Sequence, residues 1–291
     1  MQGAPSIAVV YATRGRAGVL AESLRLVRHQ TMQPDLVLIS CVAPSDAPDT
    51  SDDVRTRVIL SRPGLTFQRN AALEALPSSI DVVAFFDDDF LPHEDWLATA
   101  VAAFTARPEL VGVTGRLLAD GIHDGGLTVE EGLRLLETPG SPSDIRGDEP
   151  YSPYGCNMAF AMRHIEGLRF DERLVLYGWQ EDRDFGSLAA RRGLLLRLEN
   201  ALGVHLGVRS ARVPGRKLGY SQIVNPLYLV RKGTMRPGEA AGHIGRNFGR
   251  NLLRSLRPEP WIDRRGRLAG NMFGLLDVCR GRLRPERAED F

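Results

Sequence analysis

Short apolar runs alternate with helical patterns through the first hundred residues of the chain. The patterns predict strands at residues 6–11, 36–42, 57–60 and 81–86, and helices at 17–29, 66–76 and 94–107. The last strand is apolar from Val82 onward, as expected when both faces of a strand are covered. Strands that are separated by helices form a parallel, doubly wound sheet. We therefore predict an α/β fold that binds ligands beyond the carboxyl ends of its strands.

The composition is ordinary for a globular protein with a sizeable core. Of the 291 residues, 43% are hydrophobic and 25% are charged. The three cysteines form no Cys-x-x-Cys pair, so neither a zinc site nor a disulfide framework is expected, and a reducing cytoplasm fits best. The first residues lack a basic segment followed by a long apolar stretch, and the apolar runs are strand-sized. We expect neither a signal peptide nor a membrane span.

Basic residues are concentrated at the C-terminal end of the chain. Residues 1–208 contain 19 lysines and arginines against 29 acidic residues, whereas residues 209–291 contain 18 against 7. A predicted helix at 243–257 places Ile244, Phe248, Leu252 and Leu256 on one face with arginines between them, and a second helix is predicted at 268–283. The apolar face can contact an anionic membrane, or pack on the core or on a second subunit. Packing is favoured, because burial contributes about 1.5–3 kcal/mol for each side chain, against about 1 kcal/mol for each arginine near anionic lipid.

Three consecutive aspartates, Asp87, Asp88 and Asp89, directly follow the predicted strand at 81–86. Adjacent carboxylates repel one another, so the position favours a counterion. In an Asp-x-Asp pattern the two outer carboxylates can bind one divalent cation, which can neutralise a nucleotide pyrophosphate at the strand ends. The pattern alone is weak, because Asp182-Arg183-Asp184 is a second instance and a capped turn before the next helix would use the same residues.

Five ordered blocks between residues 6 and 205 together form a more specific signal. They are the strand and loop at 7–14, Gln68-Arg69-Asn70, the segment 85–92 around the aspartates, Gly155-Cys156-Asn157 with Phe170-Asp171-Glu172, and Glu181-Asp182 followed by Arg191 and Gly193. In this order the blocks resemble glycosyltransferase family 2, which has the GT-A fold. One position departs from the family pattern. The second strand usually ends in a nucleoside-contacting aspartate, and Ser40 and Cys41 stand there in this chain.

The resemblance implies a GT-A fold with a doubly wound, mostly parallel sheet, flanking helices and a helical C-terminal extension. The catalytic domain is then expected at 1–212, with a nucleotide-sugar half near 1–115 and an acceptor half near 116–212, and the basic extension at 213–291. The implied activity is that of an inverting, hexosyltransferase-like enzyme. It would transfer a sugar from a nucleotide diphosphate donor to a saccharide or lipid-linked saccharide in surface or exopolysaccharide assembly.

The resemblance also assigns the candidate site residues. The donor-binding candidates are Thr13, Arg14, Ser40, Arg69, Asp87 and Asp88, and the candidate ligands for Mn²⁺ or Mg²⁺ are Asp87, Asp89 and His205. Asp182 is the implied general base for the acceptor hydroxyl, and Glu181 supports the acceptor or the helix. Arginine binds phosphate in a bidentate manner, so Arg62 is a further donor candidate, and Arg209 or Arg212 a candidate for the leaving phosphate. Trp179 can stack on a sugar ring or pack in the core, and His205 can equally be a core residue.

Other functional classes stay open at this point. A sugar nucleotidylyltransferase also has a doubly wound nucleotide fold, but residues 11–18 lack the glycine pattern of its phosphate loop. A protein that binds nucleotide sugars or a membrane without transferring sugar is the other alternative. No zinc-finger, RNP-like or helix-turn-helix pattern supports nucleic-acid binding. We expect a cytoplasmic enzyme with a mobile loop at 120–153, and leave open a peripheral contact at the inner face of the membrane and a homodimer.

Overall fold

The computed structural model describes residues 4–122, 125–137, 152–208 and 213–291, and the backbone of 147–148. The chain divides into two compact units. The first consists of Met1–Pro63, Phe67–Arg169 and Leu188–Ala211, and the second of Gly64–Thr66, Phe170–Ser187 and Arg212–Phe291. The domain limits predicted at 1–212 and 213–291 stay a prediction. Much of the predicted loop at 120–153, together with Arg209 and Arg212, lies outside the described residues.

A mixed β-sheet is the main element of the first unit. Its strands are β1 (Ile7–Thr13), β2 (Leu36–Cys41), β3 (Thr56–Leu60), β4 (Val82–Asp87), β5 (Phe90–Pro92), β6 (Leu110–Asp120), β7 (Gly147–Asp148), β8 (Asn157–Ala161) and β9 (Leu194–His205). They lie in the order β3-β2-β1-β4-β8-β6-β9-β5, and β7 pairs with β9. Strands β1 to β4 are parallel, as are β6 and β9, whereas β8, β5 and β7 pair antiparallel with their neighbours. The predicted α/β class and its parallel strands are confirmed.

The helices that alternate with these strands along the chain are α1 (Ala17–Val27), α2 (Leu65–Ala75), α3 (Trp96–Ala106), α4 (Val129–Leu136), α5 (Met162–Ile165) and α6 (Glu181–Ala189), and α6 begins in the second unit. The first three coincide with the predicted helices to within three residues at each end. Helix α4 falls inside the segment that was predicted to contain a mobile loop. It is capped by the preceding Thr128, whose hydroxyl accepts from the backbone N–H of Glu131 while the carboxylate of Glu131 accepts from the backbone N–H of Thr128.

The core of the first unit covers both faces of the parallel strands. Every residue of β2 is buried, and β4 is buried up to Phe86. Aromatic rings fill one side, where Phe86 lies 4.7 Å from Trp96 and 5.0 Å from Phe90 between ring centroids. Burial of each phenylalanine contributes about 1.5–3 kcal/mol. Asp87 is therefore held at the end of a strand that is anchored by its apolar residues.

The second unit contains the helices α7 (Gly215–Lys232), α8 (Pro237–Arg254) and α9 (Arg264–Cys279). Helices α7 and α9 pack so closely that there is no room for a Cβ atom at two glycines. A Cβ atom at Gly219 would collide with the carbonyl group of Arg267, and one at Gly270 with that of Arg216. The side-chain amide of Asn271 donates to the carbonyl oxygen of Gly219 at 2.7 Å across the same contact. Glycine is needed at these positions because two helix backbones meet there.

The two helices predicted from the basic segment are confirmed as α8 and α9. Packing of the whole apolar face, which the sequence favours, is found only in part. Ile244 and Phe248 are half-buried, whereas Leu252 is 48% exposed and Leu256, just past the end of α8, is 81% exposed. In the described part of the chain, no helix combines the length and apolar character needed to cross a membrane.

Candidate metal and nucleotide site

Strand pairing brings Asp89 next to His205. After β4 the chain turns through Asp88 and Asp89 into β5, which pairs antiparallel with the end of β9, so that Phe90 lies opposite His205. The backbone N–H of Leu206 donates to the carbonyl oxygen of Asp89 at 2.9 Å. The aspartates are thus fixed between a buried parallel strand and a short antiparallel pair.

Asp87, Asp89 and His205 form a compact group of metal-ligating side chains. One ligand atom from each lies within 4.8 Å of the other two, and His205 Nε2 is 3.2 Å from Asp89 Oδ1. Asp89 and His205 are buried, whereas the Asp87 side chain is 32% exposed. Two carboxylates and an imidazole can bind a divalent cation such as Mn²⁺, so the donor set fits the predicted cofactor. The structure brings the three predicted ligands together, and metal binding by them stays a prediction.

The charges of Asp89 and His205 stabilise each other. Burial would raise the pKa of Asp89, but the hydrogen bond and charge of His205, the charge of Arg16 and the backbone N–H of Val208 lower that pKa below its usual value. Burial would lower the pKa of His205, but its bonds to Asp120 and Asp89 raise that pKa to about 10. Without a metal ion, the Asp89 carboxylate is therefore ionised and paired with a protonated His205.

Asp88 faces the loop that follows β1. Its carboxylate accepts from Thr13 Oγ1 at 2.8 Å and from Arg16 Nη1 at 2.9 Å. Burial raises the pKa of Asp88 to about 6, with Arg16 opposing the rise and Asp89 adding to it. Of the predicted donor-binding residues, Thr13 and Asp88 therefore lie together. Arg16, which is not among the predicted site residues, contacts Asp88 as well, and its Nη1 lies 3.8 Å from Asp89 Oδ2.

The buried Arg69 side chain forms an ion pair with Asp87. Its side chain is 2% exposed, and Nη2 donates to Asp87 Oδ1 at 3.1 Å and to the carbonyl oxygen of Gly155 at 2.7 Å. The preceding Gln68 donates to the carbonyl oxygens of Thr13 and Ser40, which joins the ends of β1 and β2. Gln68 and Arg69 thus contact the strand ends and Asp87, and donor binding by Arg69 stays a prediction.

The remaining donor candidates lie at the ends of β1 and β2. Arg14 is exposed, and the hydroxyl of the buried Ser40 lies 3.1 Å from that of Ser61. Asp46 is not indicated by any sequence pattern, and its carboxylate accepts from the backbone N–H groups of Gly15, Val42 and Ala43. Asp46 therefore fixes the loop after β1 to the loop after β2. Arg62 stacks on Phe67, with its guanidinium carbon 3.8 Å from the ring centroid.

In the second unit, Glu181 and Asp182 begin helix α6. Glu181 is buried, and Asp182 is half-buried with its Oδ1 accepting from the backbone N–H of Arg183 at 2.7 Å. Leu176 and Gln180 in the preceding loop have φ of 65° and 72°, which is strained for residues other than glycine. Such strain is a frequent feature of functional loops and supports a role for the residues that follow.

Trp179, in the same loop, packs within the second unit. Its ring lies edge-to-face with His243 at 6.2 Å, and its carbonyl oxygen accepts from the side-chain amide of Asn225 at 3.0 Å. The ring remains half-buried, so these contacts leave part of it accessible. Stacking on a sugar stays a prediction for this residue.

The second Asp-x-Asp pattern has a structural explanation. Asp184 is fully buried and accepts from Lys232 Nζ and from Thr234 Oγ1, each at 2.6 Å. Lys232 also donates to Asp171 at 2.7 Å, which places the aspartate of the Phe170-Asp171-Glu172 block in the same network. These carboxylates tie α6 and the loop before it to the end of α7.

Comparisons with known proteins give structural relatives only. No protein-family model and no curated protein matches the sequence. TarS residues 1–349 from S. aureus superpose with a TM-score of 0.60 at 14% identity, covering 98% of this chain and 82% of that one. The mannosyltransferase PcManGT from Pyrobaculum calidifontis, in complex with GDP-Man and Mn²⁺, gives 0.55 at 16%, covering 99% and 79%. The chain has the fold of these structures.

A further structure extends the comparison. TarS residues 1–349 in complex with UDP-GlcNAc superpose with a TM-score of 0.57 at 14% identity, covering 98% of this chain and 83% of that one. At this identity the likeness concerns the fold, and it confirms the predicted arrangement of a mostly parallel sheet with flanking helices.

Proposed function

We propose that the protein is a metal-dependent, inverting glycosyltransferase that transfers a sugar from a nucleotide diphosphate to a hydroxyl acceptor. The observation that carries the proposal is the group of Asp87, Asp89 and His205 at the carboxyl end of β4. Further support comes from the fold, which is shared with structures that hold UDP-GlcNAc, or GDP-Man and Mn²⁺. A fold alone does not define an activity, so the side chains must carry the argument.

In this proposal the first unit binds the donor. Asp87, Asp89 and His205 hold Mn²⁺ or Mg²⁺, which when bound would neutralise the pyrophosphate and ease departure of the nucleotide. Arg69 holds the Asp87 carboxylate in place, while Asp88, Thr13 and Arg16 fix the loop after β1. Arg14 and Ser40, at the ends of β1 and β2, are proposed to contact the nucleotide.

The proposed general base is Asp182, at the start of α6. An acceptor hydroxyl must lose its proton as it attacks the anomeric carbon, and a half-buried carboxylate at the start of α6 can accept that proton. The proton passes to Asp182, the new glycosidic bond forms, and the bond to the nucleotide phosphate breaks on the opposite side of the ring. That geometry inverts the anomeric configuration. Glu181 is proposed to support the helix start or the acceptor.

Nucleotide binding should depend on a divalent ion, because without one the pyrophosphate faces the carboxylates of Asp87 and Asp89 with no cation between them. We expect one nucleotide diphosphate, with UDP and GDP as first choices, to raise the unfolding temperature in Mn²⁺ and not in EDTA. Ligand at about 100 times its Kd adds about 2.7 kcal/mol to the free energy of unfolding. Thermal-shift measurements over a panel of nucleotides check this. An equal shift in EDTA would contradict the metal-dependent donor site.

The acceptor side of the proposal includes a lipid-linked saccharide at an anionic membrane surface. We propose that the contact is made by exposed apolar side chains of the second unit, called its apolar surface below: Leu252, Leu253, Leu256, Trp261 and Met272. Asn251 of α8 bonds to Asn271 of α9 at 2.9 Å, so the residues that follow each of them, Leu252 and Met272, belong to neighbouring helices. Exposed arginines at 246, 250, 254, 257 and 265 accompany this surface. Their charge favours anionic lipid over a second copy of the same basic surface.

Vesicle sedimentation tests the membrane contact. We expect binding to anionic vesicles that weakens with salt, and Arg250→Gln with Arg254→Gln should lower the affinity about 30-fold, since each arginine contributes about 1 kcal/mol. The matched control, Arg55→Gln with Arg57→Gln, changes exposed arginines of the first unit. A homodimer in solution whose formation is blocked by Leu253→Glu, with no vesicle binding, would contradict a lipid partner.

A further inference from the structure

Asp120 contacts the side of His205 that faces away from Asp89. It is the last residue of β6, and the parallel pairing of β6 with β9 places it in register with His205. Asp120 Oδ1 lies 3.0 Å from His205 Nδ1, while His205 Nε2 lies 3.2 Å from Asp89 Oδ1. The imidazole is thus held at both nitrogens by carboxylates that are 31 residues apart in the sequence.

Tyr154 contacts the other carboxylate oxygen of Asp120, the one that does not face His205. Its hydroxyl donates to Asp120 Oδ2 at 2.9 Å, and its ring lies edge-to-face with His205 at 6.1 Å. The backbone N–H of Ile122 donates to Asp120 Oδ1 at 3.1 Å. Each carboxylate oxygen of Asp120 therefore has a donor that fixes its orientation, and Oδ1 remains directed at the histidine.

A histidine binds a metal through one nitrogen only when that nitrogen carries no proton, and the other nitrogen then carries the proton. A hydrogen-bond acceptor at Nδ1 stabilises the tautomer with its proton on Nδ1 and leaves Nε2 as the ligand. Carboxylates in this position also orient the ring and raise the basicity of the ligand nitrogen.

We propose that Asp120, fixed by Tyr154, is a positioning residue that directs His205 Nε2 toward the metal held by Asp87 and Asp89. The inference rests on the proposed metal site and adds two residues that the sequence patterns do not indicate. Asp120 acts through His205, so its replacement should alter metal affinity without removing a ligand.

Mn²⁺ binding without nucleotide tests the proposal directly. Free Mn²⁺ is followed by electron paramagnetic resonance while the protein is titrated with MnCl₂. Asp120→Leu keeps a branched side chain but removes the acceptor, and it should weaken Mn²⁺ affinity about 10- to 100-fold. Asp120→Asn retains an acceptor oxygen for Nδ1–H and should recover most of the affinity. Tyr154→Phe should have a smaller effect of the same sign.

Controls separate this inference from the proposed function. Glu109→Ala, at the opposite end of β6, should bind Mn²⁺ as the original protein does, and Asp89→Asn should lose the bound ion. No Mn²⁺ binding by the original protein would refute the metal site itself, and with it the role of Asp120. Unchanged affinity in Asp120→Leu, or no recovery in Asp120→Asn, would refute only the positioning role. If Asp120→Leu does not fold, by circular dichroism, Tyr154→Phe decides, and unchanged affinity there overturns the inference.

Discussion

Replacing Asp182 with asparagine should lower sugar transfer by roughly 100- to 10,000-fold and leave donor binding unchanged, because a positioned general base contributes about that factor. Asparagine has nearly the same shape and can still accept from the backbone N–H of Arg183, as Asp182 Oδ1 does at 2.7 Å. The start of α6 should therefore remain intact. What is lost is the capacity to take a proton from the acceptor.

The measurement separates chemistry from binding. Donor affinity is obtained by calorimetry with the nucleotide selected in the thermal-shift panel, and turnover by nucleotide release from the matching nucleotide sugar over a panel of saccharide acceptors. Asp290→Asn, which changes an exposed carboxylate of the second unit, is the matched control and should keep full turnover. Near-normal turnover in Asp182→Asn would make Asp182 a helix-capping residue and place the base elsewhere.

The parallel strands of the first unit could be predicted because their sequences are locally decisive. Strands β1, β2 and β4 are buried on both faces and read as continuous apolar runs, which few other structures accommodate. Strands β5 to β9 were not predicted. Strand β5 has only three residues, and β9 mixes buried and half-buried positions without a regular alternation, so their pairing depends on partners that are distant in the sequence.

The same physical limit applies to the site. Asp87 and Asp89 could be predicted because they follow an apolar strand directly. Asp120 could not, since its partner His205 is 85 residues away and the register of β6 against β9 alone brings the two together. Local sequence contains no information about that register.

Arg69 illustrates a different limit. The Gln68-Arg69-Asn70 block marks an important position, but the motif does not distinguish phosphate binding from support of a ligand. The Arg69 side chain is 2% exposed and donates to Asp87, which are the contacts of a supporting residue, and phosphate binding by Arg69 stays a prediction. Arginine binds phosphate only where its guanidinium is accessible, and local sequence does not show that accessibility.

Replacing Asp87 with asparagine should abolish the metal dependence of nucleotide binding. Asp87 is the most exposed of the three candidate ligands, and its partner Arg69 keeps a bond to the carbonyl oxygen of Gly155 when the charge is removed. The fold should therefore tolerate the change better than it would at Asp89, where buried His205 and Arg16 would lose a counterion. Replacing a residue that supports a metal ligand typically lowers metal affinity about 10- to 100-fold. Replacing the ligand Asp87 itself should lower Mn²⁺ affinity by at least about 100-fold.

Calorimetry with the selected nucleotide, in Mn²⁺ and in EDTA, decides the matter. The original protein in EDTA and Asp87→Asn in Mn²⁺ should give the same weak affinity, because both would lack the ion whose charge offsets the pyrophosphate. Asp81→Asn, which alters an exposed aspartate just before β4, is the matched control and should bind as the original protein does. If Asp87→Asn bound the nucleotide with unchanged affinity in Mn²⁺, the group at the end of β4 would not be the donor's metal site, and the proposed reaction would lose its main structural support.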